Sequence, residues 1–403
     1  MKRHRHERIT RINPKVGRHI NRSIILNTIR RHQPISRAEL SEITLLNKST
    51  VSDIVSVLLG EDLLVETADR GGSVGRTRVN LSIKRGKHFV GGISFDAPIT
   101  RIAIVDIDGN VVARHELAAP QVPADKLVSE CIRKLGSLRS TLGPHNFHGL
   151  GVSVAGIVDA TQSVVVHAAN LGWTDVDLGS LIRRYAPDVE SVSIENDAKS
   201  SVLAELLLGT HTLASNNLIF LLLGAGIGAG IAINGRIFAG HTNAAGEVGH
   251  MTVVEGGERC KCGNAGCWEL YASERAPVHW YWEAQGSPDQ VGESLRVDAV
   301  YDAARQGDVN AKKALDLWAT HIGVGIGDII SILDPEAVIV GGSITRIWDL
   351  VGERIAESAY GKGAFARERA VAILPSSLTE SPPLVGAAAL AIRRIFVDFG
   401  LSG

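Results

Sequence analysis

The sequence predicts an α/β protein with a small N-terminal winged helix-turn-helix followed by two α/β lobes around a cleft. Three observations carry this. Residues 1–88 hold 18 Lys and Arg against 8 Asp and Glu, and the rest of the chain holds 24 against 35, so a formal net charge of -1 hides a basic block on an acidic body. The 403 residues include 43 glycines and only 5% aromatics, a mix of many tight turns above the ~7% average glycine content. From residue 89 onward strand-like and helix-like runs alternate, and apolar strands end in glycine turns twice over. At roughly 100–200 residues per domain, this length accommodates two or three domains.

The same numbers exclude several classes. Disorder, collagen and coiled coil do not fit 45% hydrophobic and 21% charged residues without a repeat. No apolar run reaches the ~18–20 uninterrupted residues of a membrane helix. The N-terminus (Met1-Lys2-Arg3-His4-Arg5-His6) is basic, but no apolar stretch follows it, so no secretory signal is read. Four cysteines in this length do not form a disulfide scaffold. A soluble, cytoplasmic protein is expected, with no membrane partner.

Residues 1–17 read as a basic, flexible tail and 18–88 as the DNA-binding unit. Ile20, Ile24, Ile25 and Ile29 recur at helical spacing over roughly 18–32, and Pro34 ends the run. Ser36-Arg37-Ala38-Glu39 is a capping box that opens a short helix with Ala38, Leu40 and Ile43 facing inward. After a turn at Thr44-Leu45-Leu46, Asn47 caps a second helix from Lys48 to Leu59, with Gly60 as its C′ residue. Val51, Ile54, Val55 and Leu58 form its buried stripe, which leaves Lys48, Ser49, Thr50, Ser52 and Asp53 outside, where a recognition helix presents side chains to the major groove. Leu63–Thr67 and Arg78–Ile83 alternate like short strands, and the loop between them carries Arg70 and Arg76 among glycines. Such a wing places guanidinium groups along phosphates. Arg37, Lys48, Ser49, Thr50, Ser52, Arg70, Arg76 and Arg78 are therefore the candidate DNA contacts. A small helical protein-interaction module is the competing reading.

In the body, Phe89–Ile93 and Arg101–Ile107 read as a hairpin with a turn at Asp106–Asn110. A helix follows near 124–142, then a buried strand at Leu150–Val154. Leu218–Leu223 and Gly230–Ile233 flank a glycine-rich turn, and Ala337–Val340 ends at Gly341-Gly342. Residues 89–200 are assigned to a first lobe, completed by a helix near 384–397, and 201–383 to a second.

Six motifs then carry a resemblance. They are Gly151-Val-Ser-Val-Ala-Gly156, Ala169-Asn-Leu-Gly-Trp173, Glu195-Asn-Asp-Ala198, Gly224-Ala-Gly-Ile-Gly-Ala-Gly230, Gly246-Glu-Val-Gly-His250 and Cys260-Lys-Cys-Gly-Asn-Ala-Gly-Cys-Trp-Glu269. In this order, from about 18 to about 397, the chain resembles the ROK family (repressors, open reading frames and sugar kinases) in its transcriptional-regulator branch. The resemblance implies an actin-like ATPase (ribonuclease H-like) fold, a sugar site between two lobes, and a homodimer or homotetramer.

The cysteine motif also has a direct chemical reading. Cys260-x-Cys262-x4-Cys267 with His250 upstream offers three thiolates and one imidazole, the donor set of a closed structural Zn2+ site. Three buried free thiols are the alternative. Cys131, on a predicted helix far away, reads as a core thiol.

By resemblance the sugar ligands are Asn170, Asn196, Asp197, Glu247, His250 and Glu269, with His250 using one ring nitrogen on the metal and the other on the ligand. Asp197 is the position of the base in the family's kinases. Where those kinases carry Asp-x-Gly-x-Thr after the first strand, this chain has Ser94-Phe95-Asp96-Ala97-Pro98, and Ala225 replaces the usual Thr of the second phosphate loop. Phosphoryl transfer depends on positioning and charge neutralisation, so neither ATP nor Mg2+ is expected to be used. The expected function is a sugar-responsive repressor that reads operator DNA and binds a sugar effector without phosphorylating it. An ATP-dependent sugar kinase with an appended DNA-binding module is the alternative, and a regulator answering to a protein partner is a third.

Overall fold

A computed structural model describes residues 14–69, 78–119, 121–143, 146–213, 216–286, 297–361 and 371–397. The N-terminal unit contains α1 (Pro14–His32), β1 (Ile35–Ser36), α2 (Arg37–Thr44), α3 (Lys48–Gly60), β2 (Leu64–Asp69) and β3 (Arg78–Ile83). Its strands form an antiparallel sheet in the order β1-β3-β2 beside the three helices. Both predicted caps are present. The Ser36 hydroxyl accepts from the Glu39 N–H at 3.3 Å while the Glu39 carboxylate accepts from the Ser36 N–H at 2.9 Å. Asn47 accepts from Thr50 N–H at 2.8 Å.

The buried stripe of α3 is the expected one, but three neighbouring assignments change. Ala38 and Ile43 of α2 are exposed, leaving Leu40 as that helix's buried residue. On α1 the buried set is Ile25, Leu26 and Ile29, whereas Ile20 and Ile24 face out. Gly60 lies inside α3, and Asp62 (φ 62°) takes the left-handed position, a conformation aspartate tolerates.

The body holds two five-stranded sheets of matching topology. The first comprises β4 (His88–Phe95), β5 (Ile99–Asp106), β6 (Val111–Ala118), β7 (Asn146–Val154) and β11 (Val192–Asn196), ordered β11-β7-β4-β5-β6. The turn at Asp106–Asn110 joins β5 to β6, a strand the sequence reading passed over; β4 and β5 pair through residues 96–98 instead. Helices α4 (Ala124–Ser140) and α5 (Leu178–Tyr185) flank this lobe, and β8 (Ile157–Asp159), β9 (Val164–Ala168) and β10 (Trp173–Asp177) form a small separate sheet. Cys131 is buried on α4, where burial pushes its thiol up to about 12.

Helix α6 (Asp197–Leu208) leads to the second sheet, built from β12 (Leu218–Leu223), β13 (Ile227–Ile233), β14 (Arg236–Ile237), β15 (Ala337–Gly342) and β16 (Ala372–Pro375), ordered β14-β13-β12-β15-β16. In each sheet a meander of three antiparallel strands is extended by two parallel ones. Helices α7 (Trp268–Ala272), α8 (Arg275–Ala284), α9 (Val297–Arg305), α10 (Val309–Leu333) and α11 (Trp348–Gly361) pack on the second lobe. By length and composition α10 could cross a membrane, yet Trp318, Ile322, Ile326 and Ile330 are buried in this core.

Helix α12 (Pro382–Val397) returns to the first sheet and packs on β4, β7 and α6. The approach to β7 is close enough that a Cβ on Gly151 would sit 1.7 Å from the Ala387 carbonyl oxygen, so only glycine fits there. Every residue of α6 from Ala198 to Glu205 is buried, because it packs on α12 and also on β12 and β13. The expected lobe boundary at 200 therefore falls inside a continuous helix, and the crossing comes after Leu208. The hydrophobic core also ignores the boundary at 88. Ile25, Leu26, Ile29 and Leu58 of the N-terminal unit join Val90 and Val105 of the first lobe and Ile392 and Phe396 of α12 in one cluster.

Candidate functional site

Three chemically distinct surfaces emerge. The first is the outer face of α3, where Lys48, Ser49 and Ser52 are exposed and Thr50 is half-buried beside its cap. Arg37 pairs with Glu66 at 2.5 Å, a surface ion pair that a phosphate can replace at little cost. Arg70 and Arg76 lie outside the described residues, and Arg78 begins β3 with its side chain likewise outside them.

The second is a cleft of about 670 Å³ between the two lobes. All six residues expected to bind sugar line it, although they come from four separate stretches of chain. Asn196, at the end of β11, is the N-cap of α6: its Oδ1 accepts from Lys199 N–H at 3.0 Å, and its Nδ2 donates to the Gly156 carbonyl at 3.0 Å and to Asp197 at 2.8 Å. Its amide is thus committed to the fold, and it acts on the cleft by orienting Asp197. Burial and the neighbouring Asp96 carboxylate push Asp197 up to about 7, against the pull of the Ala198 N–H. Asp96, just beyond β4, is raised mainly by burial, opposed by hydrogen bonds from Ala97 N–H and the Asn170 side chain.

On the opposite wall, the glycine turn at 224–228 lies between β12 and β13, beside Glu247, His250 and Glu269. Lys199, buried on α6, donates to the Asn243 carbonyl and holds the loop that leads to Glu247. Several cleft residues escaped the sequence reading: Arg101, Glu274, Ser343, Arg346 and the Ser376–Pro383 crossover. Glu274 and Ser343 are hydrogen-bonded at 2.5 Å across 69 residues, a separation at which no local pattern signals contact.

A raised acid has a sign for stability. The ordinary value for Asp197 is 3.8, so between there and about 7 the folded state binds more protons than the unfolded one. Its contribution is complete at low pH and is lost as pH rises through 7. Asp197→Asn should therefore lessen the fall in melting temperature of the ligand-free protein between pH 5 and 8, and at pH 8 stabilise it by about 1 kcal/mol or more. An unchanged slope would show that Asp197 ionises as freely as a surface carboxylate.

The third surface adjoins the cleft. One ligand atom from each of His250, Cys260, Cys262 and Cys267 lies within 4.8 Å of the others. Cys262 and Cys267 sulfurs are 3.6 Å apart, and Cys260 Sγ is 3.8 Å from His250 Nδ1. A tetrahedral ion with sulfur bonds of about 2.3 Å needs edges of roughly 3.8 Å, so the donors already have the spacing of a metal site. His250 turns Nδ1 toward the sulfurs and places Nε2 4.0 Å from Glu247, so it belongs to both the cluster and the cleft. The loop is anchored by Trp268, fully buried, whose indole donates to the His321 carbonyl at 2.8 Å.

Helix α12 connects the cleft to the N-terminal unit. At its start the Ser153 hydroxyl donates to the Pro383 carbonyl at 2.9 Å beside the cleft. At its end Asn27 of α1 donates to the Phe396 carbonyl at 2.9 Å, and the Arg30 guanidinium lies 5.2 Å over the Phe396 ring.

Comparison with known proteins agrees with this architecture. The ROK family model matches residues 90–394. The xylose repressor of Bacillus spizizenii is 31% identical over 383 residues, covering 94% of this chain and 96% of that protein. The glucokinase of Streptomyces coelicolor is 33% identical over 321 residues, or 74% of this chain and 96% of its own. Among solved structures, a ROK family transcriptional regulator homologous to the E. coli MLC protein superposes with a TM-score of 0.80 at 22% identity, covering 94% of this chain and 97% of that one. A ROK family glucokinase from Streptomyces griseus, in complex with glucose and AMPPNP, gives 0.66 at 29% identity, covering 75% and 98%. A match over 94% of the chain necessarily takes in most of residues 18–88.

Proposed function

The chain belongs to the ROK family, and from that premise we propose that it is a sugar-responsive transcriptional repressor in which residues 18–88 read operator DNA and the inter-lobe cleft binds the effector. The observation that carries this reading is the physical link between the two. Helix α12 starts on the cleft at Pro382 and ends against α1, and the N-terminal unit shares its core with the first lobe. A sugar that favours one relative position of the lobes then biases the position of the DNA-binding unit. The similarity to xylose repressors over nearly the whole chain supports the same assignment and makes a pentose the first effector to try.

Within this proposal α3 enters the major groove with Lys48, Ser49, Thr50 and Ser52 toward the bases, while Arg37, Arg70, Arg76 and Arg78 contact the backbone. Asn170, Asp197, Glu247, His250 and Glu269 bind sugar hydroxyls, with Asn196 positioning Asp197. The cluster of His250, Cys260, Cys262 and Cys267 holds Zn2+ in a structural role, since four protein donors leave no open position. When bound, the ion neutralises the thiolates and fixes the His250 ring. The protein works in the cytoplasm as a homo-oligomer, whose two-fold symmetry would match paired operator half-sites.

The test is fluorescence anisotropy of the full chain on DNA tiled from its own upstream region, at fixed salt, with and without D-xylose, D-glucose and related sugars. Sequence-selective binding shifted by one sugar is expected. Uniform, salt-sensitive binding to every fragment, unmoved by any sugar, would sink the proposal. Glu247→Gln should remove the sugar response and leave DNA affinity within about twofold, because the amide loses the charge and puts an NH2 donor in place of one of the two acceptor oxygens. A normal response in the variant would place the effector elsewhere.

One observation favours a second reading. Asp197, at about 7, suits a general base, and glucokinases are among the relatives. A kinase predicts sugar-dependent ADP formation that Asp197→Asn abolishes. Ser94, Asp96, Pro98 and Ala225 speak against it: a phosphate would meet the Asp96 carboxylate, and Pro98 has no N–H to offer it. No ADP at millimolar sugar would dispose of the kinase.

A further inference from the structure

The cleft carries an excess of negative charge with little positive charge free to answer it. Asp96, Asp197, Glu247 and Glu269 all face it. Its two arginines pair at the surface with other acids, Arg101 with Glu116 at 3.0 Å and Arg346 with Asp298, which leaves the acids of the cleft in excess. The N-terminus of α6 points at the same space, and a helix N-terminus ordinarily attracts anions. Here that capacity is spent internally, since Ala198 N–H donates to the Asp197 carboxylate at 2.8 Å and Lys199 N–H to Asn196 at 3.0 Å.

Asp96 is the least expected member of this set. It stands in the turn between β4 and β5, and its carboxylate accepts from Ala97 N–H at 2.8 Å and from the Asn170 side chain. The second contact turns the Asn170 amide so that its NH2 faces Asp96, which sets how that side chain meets a ligand. Asp96 is also close enough to Asp197 for its charge to disfavour ionisation of the Asp197 carboxyl.

We infer that Asp96 restricts the cleft to unphosphorylated sugars, accepting a hydrogen bond from a ligand hydroxyl and rejecting a phosphate ester at that end of the cavity. The inference rests on the reading of the cleft as a sugar site. An uncharged polyol supplies the donors that the carboxylates require. A phosphate dianion supplies none, reaches a cleft guanidinium only in competition with Glu116 or Asp298, and faces two carboxylates in a partly desolvated space.

The experiment is calorimetric titration of the full-length, metal-loaded protein with D-xylose and D-glucose, and with D-xylose 5-phosphate and D-glucose 6-phosphate. For the sugar that binds, the wild type should prefer the free form over its phosphate at least 100-fold. Asp96→Asn keeps the shape and removes the charge, and it should narrow that preference at least tenfold. Asp96→Gly, which also removes the side chain, should narrow it further and serves if the first variant misfolds. A purely structural role for Asp96 would weaken both ligands equally and leave the ratio unmoved, and that result overturns the inference. So does a wild type that binds the phosphate as tightly as the sugar. If none of the four compounds binds the wild type, the sugar-site reading itself falls, and this inference with it.

Discussion

Replacing Cys260 by serine is expected to abolish sugar binding, with an affinity loss of at least 100-fold, and to lower the melting temperature while the chain still binds DNA. The reason lies in how little else holds the loop. Between Met251 and Trp268 the backbone forms only isolated bridges, Thr252 with Cys267 and Arg259 with Ala265, and a few turn hydrogen bonds such as Cys260 N–H to the Asn264 carbonyl at 2.8 Å. The side chains that converge there are three sulfurs and an imidazole, joined only by weak sulfur contacts such as Cys262 to Cys267 at 3.6 Å, which an ion would replace with coordinate bonds. Structural zinc in finger peptides is worth about 10–16 kcal/mol, so losing one of four donors removes a large part of the loop's stability. The damage reaches the cleft because His250 belongs to both, and Glu269 of the cleft lies 3.5 Å from His250 and 3.1 Å from the Cys260 sulfur. The N-terminal unit has its own share of core and its own caps, so it should keep its affinity for DNA. Metal analysis should find one zinc per chain in the wild type and less than half of that in the variant. A Cys260→Ser protein that binds sugar normally would show that the loop needs no metal to shape the cleft.

Ser52→Glu is expected to reduce operator affinity at least 100-fold without changing sugar binding or stability. Ser52 is exposed on α3, one turn beyond Lys48, on the flank of the stripe formed by the buried Val51, Ile54, Val55 and Leu58. Glutamate has a higher helix propensity than serine, so the fold should tolerate it. In a major groove, however, the new carboxylate faces base edges between two phosphate strands. Both the lost hydroxyl contact and the added repulsion act against binding. Anisotropy at several salt concentrations separates the effects, since repulsion shrinks with ionic screening and a lost base contact does not. If the variant binds operator like the wild type, α3 is not the element in the groove.

Much of the N-terminal unit was legible because its determinants are local. A capping box requires Ser36 and Glu39 three residues apart, and an apolar stripe requires Val51, Ile54, Val55 and Leu58 at helical spacing. Both are properties of one stretch of chain. What the periodicity could not tell was which side of a helix has a neighbour. Ile20 and Ile24 match the pattern of α1 as well as Ile25 and Ile29 do, but only the latter pair meets Leu58 and Phe396 in one core cluster. Ile43 reads as inward on α2, yet nothing covers it and it is 52% exposed.

The metal cluster and the list of cleft residues were readable for another reason: glycine turns, carboxylates and cysteines at fixed spacing leave a chemical signature even when their partners are distant. That signature named the polar groups without distributing their tasks. The sequence by itself determined the fold class, the two caps, the histidine and cysteines that could hold a metal and six of the polar groups that line the cleft. Only the tertiary structure decided that the Asn196 amide is tied to the Gly156 carbonyl, that Asp96 faces Asp197 and turns Asn170, and that α12 joins the cleft to α1. These facts depend on which hydrogen bonds and apolar faces are satisfied between segments tens to hundreds of residues apart. Spacing along the chain carries no information about that until the sheets have brought those segments together.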